Sequence, residues 1–311
     1  MYKFVYEAPN MGYIRKGMTI AATWAWGVSV IVGMQIFQTR GIEAFAIWAV
    51  ANSLTLALVG WLFSKVPAST VKLADIMPAW GKIPYVGITY LIQFFSVLVN
   101  VTAIKTAFGM LGIGGYWPLF SVAIFAGVFL WGFGHVVRGN VLKFALWMTL
   151  LVLLAVAIFG GSATVTHSAM PDIHWALYGA LILFCAPILD QQMWQRRAAF
   201  GPGIRPFYLA SGLFAAYMVL VGLATATGGT GVIVAVIVLL VAGSTLASAL
   251  SAVSCFHSTI PWARAAMTLV FLGAVACTGL GLSVLQIWVL YGSLRIPFAL
   301  GAFVAILLRR D

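Results

Sequence analysis

Charged residues are scarce in this chain of 311 residues, at 7% of the sequence against roughly 25% in soluble domains. No charged stretch is long enough to form a water-soluble domain, which excludes soluble enzymes and soluble binding modules. In place of charge the sequence carries about ten apolar runs, each near the ~20 residues that cross a ~30 Å hydrocarbon layer. The composition therefore predicts an all-α membrane protein embedded in a lipid bilayer.

Cysteine and catalytic motifs are also sparse. The 3 cysteines, Cys185, Cys255 and Cys277, lie inside or at the ends of apolar runs, so we expect free thiols rather than disulfides. The sequence contains no HExxH, GxSxG or paired-carboxylate motif, and its 4 histidines are scattered in or near loops. The net charge of +11 forms no continuous basic stripe, which argues against nucleic acid as a partner. We expect neither an enzyme, a cofactor nor a metal centre.

The apolar runs define ten expected transmembrane helices, which leave a cytoplasmic segment at 1–17. An even number of spans places both termini on one side, and the basic loops indicate that this side is the cytoplasm. Arg40 is the one basic residue in the opposite loops, while Lys105, Lys143 and Arg295 fall within spans. We therefore expect a multi-pass protein of the plasma (inner) membrane. The expected spans are 18–37, 48–63, 83–108, 118–136, 140–160, 175–194, 207–226, 232–256, 262–280 and 284–308.

Equal halves of five spans, 18–163 and 164–311, must have opposite orientations, as in transporters built from inverted repeats. In such proteins the first helix of each half is broken near the middle of the membrane, and the breaks form the binding site. Helix 1 contains Gly27 and Gly33, helix 6 contains Pro187, and polar residues follow in both helices. We predict that helices 1 and 6 unwind near Gly33 and Pro187.

Four short motifs occur in order along the chain: TIAATWAW from Thr19, VNVTA around Asn100, DQQMWQR from Asp190 and a serine-rich stretch from Ser244. Together they resemble the sodium:solute symporter family, most closely its urea and polyamine branch. The resemblance implies a leucine-transporter-like fold with ten transmembrane helices in two inverted five-helix repeats. It covers the ten-helix core without the flanking helices that members usually carry.

The resemblance also implies a cation site between helices 1 and 8. Its ligands would be the carbonyls of Ile31, Met34 and Val241 and the hydroxyls of Ser244 and Thr245. An all-oxygen site suits sodium, and we expect no other metal. The alternative is that the serine-rich stretch is a small-residue packing surface.

Lys143 occupies a position where the family commonly has an acid near the cation. A lysine ammonium could replace the bound cation and release a proton when it is desolvated, which would make transport proton-coupled or uncoupled. Alternatively, Lys143 extends to the cytoplasmic surface one turn away, which is the simpler interpretation.

The candidate solute ligands are Trp24, Gln35, Gln38 and Asn100. Amide groups both donate and accept hydrogen bonds, which suits a small neutral polar solute such as urea. Arg40 and Glu43, at i and i+3, are close enough in sequence to pair with each other, and neither residue belongs to the urea-branch pattern.

Three further charged positions have open roles. Asp190 is expected to pair with Arg196 or Arg197, while Arg295 either serves function or satisfies carbonyls inside the bundle. The sequence as a whole predicts a secondary active transporter of a small polar solute, working by alternating access and coupled to sodium or protons. A passive channel or facilitator is the alternative, and a non-transporting membrane scaffold is a third possibility.

Overall fold

The computed structural model describes residues 12–25, 27–67, 70–131, 140–159, 172–201, 203–227 and 231–308. Within these residues the chain forms eleven α-helices joined by turns and short 3₁₀ segments. The helices are α1 (Tyr13–Trp24), α2 (Gly27–Ser64), α3 (Ala79–Met110), α4 (Trp117–Trp131), α5 (Asn140–Phe159), α6 (Ile173–Leu189), α7 (Gln191–Phe200), α8 (Arg205–Ala226), α9 (Val232–Val253), α10 (Ile260–Cys277) and α11 (Val284–Leu307).

Six of the described helices are long and apolar enough to cross a membrane, namely α2, α3, α8, α9, α10 and α11. The bent pair α6 and α7 makes a seventh candidate span, and α4 and residues 145–159 of α5 are shorter apolar helices. These helices confirm a multi-pass membrane protein. The expected count of ten spans in inverted repeats stays a prediction at this point.

Helix α2 is interrupted at Gly41, whose φ of 86° and ψ of 171° are non-helical. Glycine adopts a positive φ at little cost because it has no Cβ. A straight helix of 38 residues would extend about 57 Å, well beyond the ~30 Å hydrocarbon layer. The kink at Gly41 therefore divides α2 into two arms, 27–40 and 42–64, without a separate loop.

The first helix is broken between α1 and α2, since α1 ends at Trp24 and Ala25 has a non-helical ψ of 72°. The prediction that this helix unwinds near Gly33 is wrong. Gly33 lies inside α2, and a Cβ at this position would be 3.3 Å from the Trp48 ring and 3.4 Å from the Phe45 ring. The absence of a side chain at Gly33 allows aromatic packing instead of a helix break.

The second break lies at Asp190, which separates α6 from α7 and has a ψ of 109°. The two helices meet at an angle of 50°. Pro187 lies in the last turn of α6, where a proline removes one backbone hydrogen bond and crowds the preceding turn. The break thus follows the predicted position by one helical turn.

The core is assembled from helices that are distant in sequence. Helix α8 packs along α1 and α2, α9 packs along α3, and α11 packs against α6. The start of α2 approaches α9 most closely at Gly27, where a Cβ would lie 2.7 Å from the Ala242 Cβ. This contact brings the first helix break against the middle of α9.

Candidate functional site

A cavity of about 340 Å³, measured with its open mouth, lies beside the break of the first helix. Helices α1, α2, α6 and α11 supply its walls. The lining residues are Trp24, Val28, Ser29, Trp48, Asn52, Leu183, Ala186, Trp288, Tyr291 and Arg295.

Three tryptophans form the aromatic wall of this cavity. Trp24 donates from its indole Nε1 to the Asn52 side-chain oxygen at 2.8 Å, which holds the ring at the end of α1. The rings of Trp48 and Trp288 meet edge to face with centroids 6.3 Å apart. The buried Nε1 of Trp48 has no hydrogen-bond partner within the described residues. The wall is therefore flat and apolar, and it contains one buried N–H group without a partner among the described residues.

Arg295 is the charged member of the cavity lining, and it is only 2% exposed. Its guanidinium carbon lies 4.2 Å from the centre of the Tyr291 ring. The Nε and Nη2 atoms have no hydrogen-bond partner in the described part of the chain. These two atoms therefore do not satisfy backbone carbonyls, which was one of the two roles that the sequence left open for Arg295.

Asp190 caps the start of α7 from inside the break of the sixth helix. Its Oδ1 accepts from the Gln93 amide at 2.9 Å and from the backbone N–H of Gln192 at 3.0 Å. The prediction that Asp190 pairs with Arg196 or Arg197 is wrong, because both guanidinium groups bond elsewhere. Asp190 instead ties α3 to the junction of α6 and α7.

Arg196 is fully buried and joins three helices. It donates from Nε to the Thr23 hydroxyl at 3.0 Å, from Nη1 to the Gln195 side chain at 3.1 Å and from Nη2 to the Ser248 hydroxyl at 2.8 Å. A fixed positive charge thus lies where α1, α7 and α9 meet. Its partners in these bonds are uncharged oxygens.

Arg197 points to the other side of α7 and binds the chain that follows α2. Its Nη1 donates to the Thr70 carbonyl at 2.7 Å, and its Nη2 donates to the Val66 and Pro67 carbonyls at 2.6 and 2.7 Å. Its Nε is 3.4 Å from the Phe63 carbonyl. The Arg197 side chain therefore binds four backbone carbonyls between residues 63 and 70, at the end of α2 and just after it, and holds this segment against α7.

The predicted cation ligands are only partly brought together. Ile31 and Met34 lie inside α2, where the carbonyl of each residue accepts from the N–H four residues ahead. Their carbonyls are therefore not released by the break at Ala25, and their coordination of a cation stays a prediction. On α9, the Ser244 hydroxyl donates to the Val241 carbonyl at 3.0 Å, and the Thr245 hydroxyl also lies 2.8 Å from that carbonyl.

The positive charge of Arg196 lies close to this region, since its partner Ser248 is one turn after Ser244 on α9. Like charges repel strongly where water is excluded, so a sodium ion beside Ser244 would meet an existing cation. Lys143 belongs to α5, but its side chain lies outside the described residues.

Of the predicted solute ligands, Trp24 lines the cavity, whereas Gln35, Gln38 and Asn100 do not. Gln38 is exposed and Gln35 is half-buried, both in the 27–40 arm of α2. Asn100 is fully buried, and its side chain bonds the Ser96 carbonyl at 2.7 Å and the Thr245 hydroxyl at 2.6 Å. Asn100 therefore links α3 to α9 instead of facing the cavity.

Sequence reasoning missed Trp48, Asn52, Trp288 and Tyr291 as lining residues. Two of these carried a usable signal. Asn52 is an isolated amide in an apolar run, and Tyr291 precedes Arg295 by four residues, which places both on one helix face.

Arg40 forms an ion pair with Asp172 and stacks on Trp175, with its guanidinium carbon 4.4 Å from the ring centre. The expected pair with Glu43 is therefore replaced by one that connects α2 to the start of α6. Lys105 donates to the Thr278 carbonyl at 3.1 Å. Among the residues described, His, Cys, Asp and Glu form no group of three that is able to hold a metal ion.

Comparison with known proteins supports the fold alone. No family model and no curated protein matches the chain. A solved structure of the manganese transporter of Eremococcus coleocola, in complex with an aromatic bis-isothiourea substituted compound, is similar with a TM-score of 0.57. The similarity covers 97% of this chain and 81% of the transporter at 11% sequence identity. The chain thus has a membrane-transporter fold, without specific support for the sodium:solute symporter family.

Proposed function

We propose that this protein is a secondary transporter that moves a small polar solute across the plasma membrane by alternating access. The observation that carries the proposal is the cavity beside the first helix break, with its aromatic wall and unused N–H donors. Broken helices supply solute sites in transporters because an interrupted backbone leaves polar groups at mid-membrane depth. The similarity of the fold to that of a solved transporter also supports a transport function.

The proposed architecture has ten spans in two inverted repeats of five. The break at Ala25 and the break at Asp190 occupy the first span of each half, as expected for such repeats. In this count α1 and residues 27–40 form span 1, residues 42–64 form span 2, and α6 with α7 forms span 6. The remaining seven helices each form one span. Both termini are then cytoplasmic, in keeping with the basic loops.

Cation coupling, by sodium or protons, is the finer part of the proposal. Ser244 and Thr245 support a site between α1 and α9, as the family resemblance implies. The buried guanidinium of Arg196 one turn away favours a second candidate function, a facilitator that moves its solute downhill without an ion. In that case the guanidinium of Arg196 would supply the positive charge that a bound sodium ion or proton supplies in a coupled transporter.

Counterflow in proteoliposomes tests the transporter proposal. Vesicles preloaded with unlabelled urea, acetate or benzoate should accumulate the same labelled solute for at least one of the three. Trp48→Ala removes a cavity wall that is 1% exposed and should abolish the exchange, whereas Trp80→Ala, at a side chain 81% exposed, is the matched control. Equilibration without transient accumulation would instead indicate a channel, and no uptake of any solute would contradict transport.

Imposed gradients separate the two coupling ions. Sodium coupling predicts accumulation with an inward sodium gradient and its loss in Ser244→Ala/Thr245→Ala. Proton coupling through Lys143 predicts a pH dependence that Lys143→Gln removes, because glutamine cannot titrate. Equal uptake with and without either gradient would identify the facilitator.

A further inference from the structure

We propose that the solute carries a carboxylate and that Arg295 binds it, an inference that rests on the proposed transport function and names the chemical class of its solute. The inference replaces a neutral urea-like solute with a small organic monocarboxylate. It depends on three observations about the cavity: the unused N–H groups of Arg295, the lack of a direct ion pair to Arg295 among the described residues, and the chemistry of the remaining walls.

The unused donors of Arg295 are the two that a carboxylate fits. Nε and Nη2 form one edge of the guanidinium, and their N–H bonds point in parallel. A carboxylate accepts both bonds with its two oxygens, the bidentate geometry for which arginine is favoured over lysine. Both atoms lie in a side chain that lines the cavity and are buried without a partner among the residues described.

The charge of Arg295 is not neutralised by a direct ion pair within the described part of the chain. The nearby buried acid is Asp190, which attracts the guanidinium through space but lies beyond ion-pair distance. Its carboxylate oxygens are engaged by Gln93 and Gln192. A buried cation without a paired anion is costly, so binding an anionic solute would remove a penalty that a neutral solute leaves in place.

The other residues that line the cavity indicate the chemistry of the rest of the solute. Trp24, Trp48 and Trp288 present flat rings, while Val28, Leu183 and Ala186 add apolar surface. Walls of this chemistry favour a compact apolar or aromatic body, with its carboxylate directed toward Arg295. The free Nε1 of Trp48 offers one further donor to an oxygen on that body.

Thermal unfolding of the purified full chain in detergent gives a binding readout that does not depend on transport. Benzoate and benzamide serve as the matched probes, because they differ mainly in the charge of one group. Benzoate should bind at least about tenfold more tightly than benzamide, since charge-assisted hydrogen bonds exceed neutral ones. Arg295→Gln should weaken benzoate by roughly 10- to 100-fold and leave benzamide nearly unchanged. Lys105→Gln, which removes a charge away from the cavity, should preserve the preference.

Arg295→Lys keeps the proposal testable should Arg295→Gln fail to fold. Lysine retains the charge but loses the bidentate edge, so benzoate binding should weaken while its advantage over benzamide persists. Equal affinity for the two probes, unchanged benzoate binding in Arg295→Gln, or no binding of benzoate at all would each overturn the carboxylate proposal. Phenylalanine binding as tightly as benzoate would also overturn it, because a zwitterion needs a second charged partner.

The two proposals fail in different ways. Counterflow of urea that persists in Arg295→Gln would leave transport standing and remove the carboxylate site. Benzoate binding that depends on Arg295 without counterflow of any solute would leave the carboxylate site standing and remove transport.

Discussion

The contact between Gly27 and Ala242 gives the most direct test of how the broken helix meets α9. A Cβ placed on Gly27 would lie 2.7 Å from the Ala242 Cβ and 3.2 Å from its Cα and backbone nitrogen. The optimum for two carbon atoms is about 3.5–4.0 Å, so the added methyl overlaps by roughly 1 Å. Because two of the atoms are backbone, no side-chain rotation relieves the overlap. Gly27→Ala should therefore destabilise the protein by about 1–3 kcal/mol.

A double-mutant cycle isolates this contact. Ala242→Gly alone should cost about 2 kcal/mol, from helix propensity and the loss of one buried methyl. In the double variant the methyl at 27 takes the place of the methyl at 242, so the two losses should fall short of additivity by about 1–2 kcal/mol. Gly212→Ala is the control, because a Cβ there has open space and improves helix propensity.

Differential scanning fluorimetry in detergent, with size-exclusion profiles, measures the cycle. Gly27→Ala should lower Tm by roughly 2–6 °C, by analogy with soluble domains of similar size. Gly212→Ala should leave Tm unchanged or slightly raised. An unchanged Tm for Gly27→Ala, or strictly additive losses in the double variant, would refute the close approach of α2 to α9.

Three further perturbations test the kink, the α7 contacts and the cavity wall. Gly41→Ala should cost about 1–2 kcal/mol, because alanine resists a positive φ, and a Tm equal to wild type would argue against the kink. Arg197→Lys replaces five N–H donors by three and should expose the segment after α2, which trypsin would then cleave faster at Lys65. Equal cleavage rates in the variant and the wild type would contradict the role of Arg197 in holding this segment. Trp24→Phe leaves the Asn52 oxygen without its donor and should weaken solute binding or stability by about 1–3 kcal/mol, which an unaltered benzoate titration and Tm would disprove.

Hydropathy was sufficient to locate the helices, and local sequence was sufficient to locate one of the two breaks. The expected final span began at 284, where α11 begins in the structure. Pro187 and the polar residues after it marked the break at Asp190, because proline and a side-chain cap act locally. These signals are properties of a few neighbouring residues and can be read without knowing the fold.

The first break could not be located in this way. Ala25 itself is a good helix former, and two glycines, Gly27 and Gly33, follow it in the same expected span. The sequence analysis placed the break at Gly33, but the lack of a side chain at Gly33 instead allows the rings of Trp48 and Phe45 to pack against α2. A glycine that permits packing and a glycine that breaks a helix look the same in one sequence.

The hydrogen-bond partners of the buried charges were equally beyond local reasoning. Arg196 bonds Thr23 across 173 positions and Ser248 across 52, whereas the sequence suggested the nearer Asp190. Its depth in a span made Arg295 one of two open cases, a functional residue or a partner of carbonyls, and its relation to the cavity depends on how α11 is rotated against α6. Helix rotation is set by the whole bundle, so this part of the site needed the structure.

The bonds from Arg197 also constrain the order in which the protein is made. The Val66 carbonyl and Arg197 are 131 positions apart, so a ribosome adding about 5–20 residues per second reaches Arg197 roughly 7–26 seconds after this loop. During that interval water must hydrate the carbonyls of Val66, Pro67 and Thr70, since an unsatisfied carbonyl in hydrocarbon is costly. This corner of the fold therefore closes only after the second half has been synthesised. Expression of the first half alone would leave the same carbonyls without their guanidinium partner.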